Sequence, residues 1–239
     1  IYSIPFISFG ITLSIYDYID MTTIINALTK LGFKTRDAES VLGVINTTGN
    51  KLNSVVLAIS TGLMTSLVPN ITSSFVANDM DDVRKKIKQS FLMLLYVTMP
   101  MAFGLSILAK PVFTAFYGVS TWGPRVFCFT IFVALFRCIF TTSISIAQSL
   151  NKFKNVFISI IVGILVKLIM QIPLMYLFNS IGLYPFYGST LATLIGLATS
   201  FVTNLVIINK MTKINLKDYF KDMFKFVYPL IIMILVLLA

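Results

Sequence analysis

Residues 3–28 read SIPFISFGITLSIYDYIDMTTIINAL. The run is long and apolar enough to cross a bilayer, which takes about 20 residues, yet it carries Asp17 and Asp20. Three apart, the two carboxylates share one face of a helix. An ionisable group in hydrocarbon costs about 2.5–3.5 kcal/mol on insertion scales, so such groups turn toward a polar cavity or a cationic partner. The rest of the chain is expected to supply both, as a bundle of similar helices.

Composition places the chain in the same class. Of its 239 residues, 57% are hydrophobic and only 12% charged, with a mean hydropathy of +0.89. A soluble domain carries about 25% charged residues, so this is read as an integral membrane protein. Nineteen Lys and Arg against nine Asp and Glu give a net charge of +10. In a soluble chain that balance would suggest nucleic acid. Here it fits basic loops held at an anionic leaflet, and with no basic-aromatic motif no nucleic-acid partner is expected. The sequence has no His, which removes imidazole acid–base chemistry and His metal ligation. Cys128 and Cys138 lie within one apolar stretch without C-x-x-C spacing, and read as small core residues. No secretory signal pattern is read in the sequence, which opens directly into a spanning run. The chain does not begin with Met and its last apolar run is short, so a longer protein is expected.

Hydropathy divides the chain into spans at 3–28, 41–69, 90–108, 125–150, 156–178 and 189–208, with a seventh starting at 226. The expected fold is all-α: a polytopic transmembrane helix bundle of six spans (1–208), a linker helix (209–225) and a truncated seventh span (226–239). Fourteen helical residues reach only about 21 Å, short of a hydrocarbon core of about 30 Å. The segments between spans, 29–40, 70–89 and 109–124, read as a polar loop, a charged connector with its own short helix, and a loop marked by Lys110, Pro111, Gly118, Gly123 and Pro124. Eleven of the Lys and Arg residues fall in connectors on one side, five on the other, and Lys51, Arg137 and Lys167 remain inside spans. The richer side is read as cytoplasmic, which puts residue 1 inside.

In the linker, Lys213, Lys217, Lys221 and Lys225 recur every fourth residue, with Ile214, Leu216, Phe220, Met223 and Phe224 for another face. This pattern fits a helix lying on the inner surface with its lysines at anionic headgroups. A solvated linker helix would show the same stripe.

Five ionisable residues thus lie within apolar spans: Asp17, Asp20, Lys51, Arg137 and Lys167. At 1.5 Å per residue, Asp17 and Asp20 stand about 20–25 Å from the inner end of their span and Lys51 about 27 Å from that of its own. An Asp–Lys51 pairing between these neighbouring helices is therefore expected to be possible. Arg137 and Lys167 stand about 18 Å along their helices, near the midplane. Asn50 adjoins Lys51, and Gln171 lies one turn from Lys167. One reading is a wet cavity with three bases against two acids, suited to a phosphate-bearing substrate, in which Lys51, Arg137, Lys167, Asn50 and Gln171 face the substrate and Asp17 and Asp20 bind a coupling cation or proton. The other is structural ion pairs within the bundle, or lysines snorkelling to an interface. Pro69, Pro100 and Pro173, with Gly62, Gly104, Gly163 and Gly196, suit helix bending or close packing, and close packing is the expected role of each glycine. No catalytic residues, metal site or cofactor are expected: Asp17 and Asp20 have no third acid in the apolar spans.

Several stretches resemble one family. Asp20 and the following MTTIINAL resemble the helix that opens the C-terminal half of bacterial polysaccharide flippases. LAISTGLMTSLVPNIT (57–72), NDMDDVRKKIKQSF (78–91), MPMAFGLSILAKPVFTAFYG (99–118), SLNKFKNVFISIIVGILVKLIMQIPL (149–174) and YGSTLATLIGLATSFVTNL (187–205) continue the resemblance in order. It points to the multidrug/oligosaccharidyl-lipid/polysaccharide exporter superfamily, in the branch of polysaccharide biosynthesis proteins, stage V sporulation protein B and lipid II flippases. What the resemblance implies is one six-helix lobe of a two-lobe transporter in the bacterial cytoplasmic membrane. Such a transporter moves a polyprenyl-linked saccharide from the inner to the outer leaflet by alternating access, its partners being membrane lipid and an N-terminal lobe that precedes this stretch. Lys51 falls near a basic position of the lipid II flippases, which implies contact with pyrophosphate. Alternatives are a cation-coupled multidrug exporter of the same fold, against which the basic excess argues, and a non-transporting scaffold in envelope or spore assembly.

Overall fold

The computed structural model describes residues 4–213 and 227–238. The described residues are helical throughout, apart from short turns. In order these are α1 (Ile4–Lys30), α2 (Thr35–Gly43), a π-helical turn (Val44–Thr48), α3 (Gly49–Val76), α4 (Met80–Ile107), α5 (Ala109–Tyr117), α6 (Gly123–Ser149), α7 (Phe153–Ser180), α8 (Pro185–Thr212) and α9 (Val227–Leu238). Five described helices are long and apolar enough to cross a membrane: the continuous run Thr35–Val76, and α4, α6, α7 and α8. α1, of 27 residues, stands beside them. A 28-residue helix is about 42 Å long, more than the hydrocarbon core requires. The chain is a multi-pass, all-α membrane bundle.

α6 is the central helix. It packs on α3, α4, α5, α7 and α8 and buries side chains on every face, from Phe127 and Ile131 to Phe140 and Ile146, as a helix apolar all round must. α7 and α8 form the closest pair. Their seam is built on Gly163 and Gly196: a Cβ on Gly163 would collide with Ser200 Oγ, Gly196 O and Tyr16 Oη, and one on Gly196 would lie 2.9 Å from Gly163 O. Small residues let helix backbones meet where lipid offers no hydrophobic drive. Gly62 and Gly104 do otherwise, since an added Cβ would meet nothing within 4 Å at either. Among the described residues neither makes a close helix contact.

Several expected boundaries shift. The expected loop 29–40 shrinks to a turn at 31–34, where Gly32 takes φ +92; α2 starts at Thr35 and runs through the π turn into α3. Its Ala38 and Val41 are fully buried, which holds a polar segment in helix. The charged connector is not a separate helix. α3 continues to Val76, Asn78 turns the chain at φ 58, and Asp79 caps α4 by accepting a hydrogen bond from Asp82 N at 3.0 Å. Loop 109–124 contains α5, anchored by buried Phe113, with Pro111 in its first turn, where proline is tolerated.

At the same end as α5, Trp122 donates from Nε1 to Asp37 Oδ1 at 3.0 Å. Tyr184 stacks on Phe186, and Arg125 lies over Tyr184. Aromatic groups with polar tips collect at membrane interfaces in this way. At the opposite end Lys86 bonds Asp82, Ser74 and the Asn70 carbonyl, and Arg84 donates to the Thr212 carbonyl. These bonds tie α3, α4 and α8 together. α8 ends at Lys213, in the left-handed region at φ 50. Lys217, Lys221 and Lys225 of the expected headgroup stripe lie outside the described residues. α9 packs on α4.

Candidate functional site

Four of the five intramembrane ionisable residues meet where α1 crosses α6, α7 and α8. Asp17 and Asp20 leave α1 on one face, as their spacing requires. Asp20 Oδ2 lies 2.9 Å from Lys167 Nζ on α7, and Asp17 Oδ1 lies 2.8 Å from Arg137 Nη2 on α6. The expected pairing with Lys51 does not occur. Lys51 is exposed on α3 and has no ion-pair partner among the described residues. Two acids are thus matched by two bases, and the third base stands apart.

The Asp20 pair is buried. Lys167 and Gln171 are fully buried and Asp20 is 3% exposed. Lys167 Nζ also donates to the Tyr16 carbonyl at 2.8 Å and lies 4.8 Å from the centre of the Tyr16 ring. Asp20 Oδ1 accepts from Gln171 Nε2 at 2.8 Å and from Ser189 Oγ at 3.3 Å. Gln171 Nε2 donates further to Thr23 Oγ1 at 2.7 Å. A buried ion pair offsets its desolvation only when its remaining donors and acceptors are also met, and here both carboxylate oxygens and two of the ammonium's donors are engaged. As placed, Lys167 and Gln171 face no solvent-filled space. The coupling ion expected at Asp20 would have to displace the lysine ammonium.

The Asp17 pair is more open: the Asp17 side chain is 31% exposed and that of Arg137 9%. Arg137 Nη1 reaches Asn50 Oδ1 at 3.5 Å, and Asn46 Nδ2 donates to the Asp17 carbonyl at 3.4 Å. Asn46 lies in the π-helical turn, a feature that recurs at functional sites. Beside the pair a cavity of about 20 Å³ lies between Asp20, Asn50, Asn53, Arg137, Ser189 and Thr193, large enough for about one water. Asn53 Nδ2 donates to Thr130 O at 3.2 Å across to α6. The broad wet cavity expected around all five charges is replaced here by two ion pairs and a one-water space.

The exposed face of α3 is where polarity continues. Lys51, Ser54, Ala58, Thr61, Thr65, Ser66, Pro69 and Asn70 are all exposed along it at helical spacing. Among the exposed residues of α7 are Ile158, Ile161, Leu165, Leu168, Ile169 and Ile172, a face suited to lipid tails. Among the described residues no group of three or more His, Cys, Asp and Glu side chains comes together.

Ser189, Thr23 and Tyr16 belong to the network and were not legible as such. A lone Ser or Thr in an apolar span carries no distinguishing signal, and Tyr16 contributes its backbone carbonyl. The spacing of Lys167 and Gln171 did mark the shared face.

The chain is a helical membrane bundle with buried charge pairs and one polar face, and comparison with known families gives it a family. The family model described as "Polysaccharide biosynthesis protein" matches residues 5–127, and the chain belongs to that family. It is 25% identical over 213 residues to the lipid II flippase MurJ of Bacillus subtilis (strain 168), a match covering 87% of this chain and 38% of that protein. The chain spans well under half the length of that curated relative. No solved structure matches.

Proposed function

We propose that this chain is a transporting lobe of a flippase, not an enzyme, and that it moves a lipid-linked saccharide from the cytoplasmic to the outer leaflet by alternating access. The observation that carries this reading is the polar exposed face of α3. Hydroxyl, amide and ammonium groups run along a membrane-crossing helix, whereas the exposed middle of α7 is mostly aliphatic. Such a face suits a hydrated passage or a second lobe across it, since backbone and side-chain polar groups are costly against lipid. Lys51, on that face, has no ion-pair partner among the described residues, and an ammonium can hold a phosphate oxygen as a point charge. The 25% identity to a lipid II flippase supports the same reading. The basic residues at the Lys86 and Lys213 end favour a cytoplasmic position for that end, and a separate N-terminal lobe would close the passage.

The test is flipping of a fluorescent lipid-linked oligosaccharide by the full-length protein in proteoliposomes. Lys51→Ala is expected to slow flipping by about tenfold or more, the weight of one charge-assisted bond. Unchanged flipping in that variant removes Lys51 from the pathway.

A further inference from the structure

The cavity of about 20 Å³ beside the ion pairs takes its polar walls from four helices, with Asp20 on α1, Asn53 on α3, Arg137 on α6, and Ser189 and Thr193 on α8. Two of those walls carry atoms whose bonding is incomplete. Arg137 Nε and Asn53 Oδ1 have no hydrogen-bond partner among the described residues, although both residues are more than nine-tenths buried. Buried groups of this kind in native proteins are met by an ordered water or call for an explanation. One donor and one acceptor, with the Asp20 carboxylate and the Ser189 hydroxyl, make the two to four polar partners that a buried water needs.

That position lies between two carboxylates of unequal access. The Asp17 side chain is 31% exposed and Asp20 is 3% exposed. Three residues apart on a helix, their Cβ atoms are about 5–6 Å from each other, which is the reach of two hydrogen bonds through one water. Arg137 belongs to both surroundings, since it pairs with Asp17 and lines the cavity. The charged groups facing the two acids are Arg137 from α6 and Lys167 from α7. The π turn adds the Asn46 amide and α8 the Ser189 hydroxyl. Of about four lone-pair sites on a carboxylate, Lys167, Gln171 and Ser189 occupy three on Asp20. A metal ion would have to displace the ammonium there, whereas a proton needs only the remaining site.

We propose that Asp17, a water in this cavity and Asp20 form a proton relay that opens the Asp20–Lys167 pair during transport. The proposal rests on the flippase reading and adds a coupling site to it. Asp17 takes a proton from the passage, which forms an O–H bond and ends its charge pairing with Arg137. That bond breaks as the proton passes to the water. The water gives one of its own protons to Asp20 and is regenerated. The net change is one proton moved from the passage to Asp20. Asp20 is then neutral, Lys167 is left as an unbalanced buried cation, and the hold of α7 on α1 weakens. Rocking of helices against one another in alternating access needs such a contact to open.

The test follows proton arrival at Asp20 by time-resolved infrared difference spectroscopy after a pH drop, on full-length protein in proteoliposomes. A protonated-carboxyl band is expected that is missing from the Asp20→Asn, Lys167→Met double variant. Asp17→Asn and Asn53→Leu are each expected to slow its rise about 100-fold, the weight of one positioned proton-transfer group, with its final height unchanged. Asp17→Glu is expected to restore the rate. At clamped membrane potential, a pH gradient is expected to change the rate of oligosaccharide flipping, and to change it less in the two slowed variants. The absence of the band, or a band that rises as fast in both variants, overturns the proposal. So does flipping that ignores the pH gradient. A slowed band in protein that flips no oligosaccharide would keep the relay and sink the transport reading.

Discussion

Lys167 Nζ stands 2.9 Å from the carboxylate of Asp20, and the lysine side chain is fully buried. Removing either charge strands the other in low dielectric, which costs about 3–5 kcal/mol, whereas replacing both can be near neutral. Lys167→Met alone is therefore expected to lower the unfolding temperature in detergent sharply, and Lys167→Met with Asp20→Asn to recover most of the loss. A double variant as unstable as the single one would show that charge pairing is not what holds α1 to α7.

Asp17→Asn is expected to be milder. Its side chain is 31% exposed, so solvent screens the lost interaction with Arg137, and a cost of about 1–2 kcal/mol is expected. The same thermal measurement, run beside Asp20→Asn, ranks the two sites. Equal losses would contradict the difference in burial.

Cysteines at Ser54, Thr61 and Thr65 are expected to react with a membrane-impermeant maleimide in at least one state of the full-length protein, and cysteines at Leu165 and Leu168 to stay unlabelled. Labelling yields read by mass shift decide this. A silent α3 series would assign that face to lipid or to permanent contact with another lobe.

The glycines divide by what surrounds them. Gly196→Val is expected to force α7 and α8 apart at a cost of about 1–3 kcal/mol or more, seen as loss of monodisperse protein on size exclusion. Gly62→Ala meets no neighbour and is expected to stabilise α3 by up to about 1 kcal/mol through helix propensity. Destabilisation by Gly62→Ala would mean the position needs its flexibility.

The bundle was legible from hydropathy, and rise per residue gave the level of each charge along its own helix. The partners of those charges were not legible, because depth is only one coordinate of a residue in a bundle. Lys51 stands at a depth similar to that of Asp17 and Asp20, but α1 packs on α7 and α8, so its acidic face turns toward Arg137 and Lys167. That rotation is set by the glycine seam and by Tyr16, through packing that a linear pattern does not encode. Boundaries failed for a related reason. Charged residues such as Asp82 and Lys86 mark where a helix leaves hydrocarbon, and the helix itself continues beyond that point. The Lys51 stripe was half legible: the polar first half of its span stood out, while its continuation through Thr61, Thr65 and Asn70 resembled ordinary hydroxyl-rich helix.

The π-helical turn at Val44–Thr48 sets the phase between α2 and α3. Excising one residue there, so that the segment closes as plain α-helix, would rotate α2 by about 100° relative to α3. Asp37 would swing off the Trp122 indole, and the aromatic rim would lose its tether to the helix that bears Lys51. A single inserted residue thus keeps one end of the bundle in register with the charges near its middle.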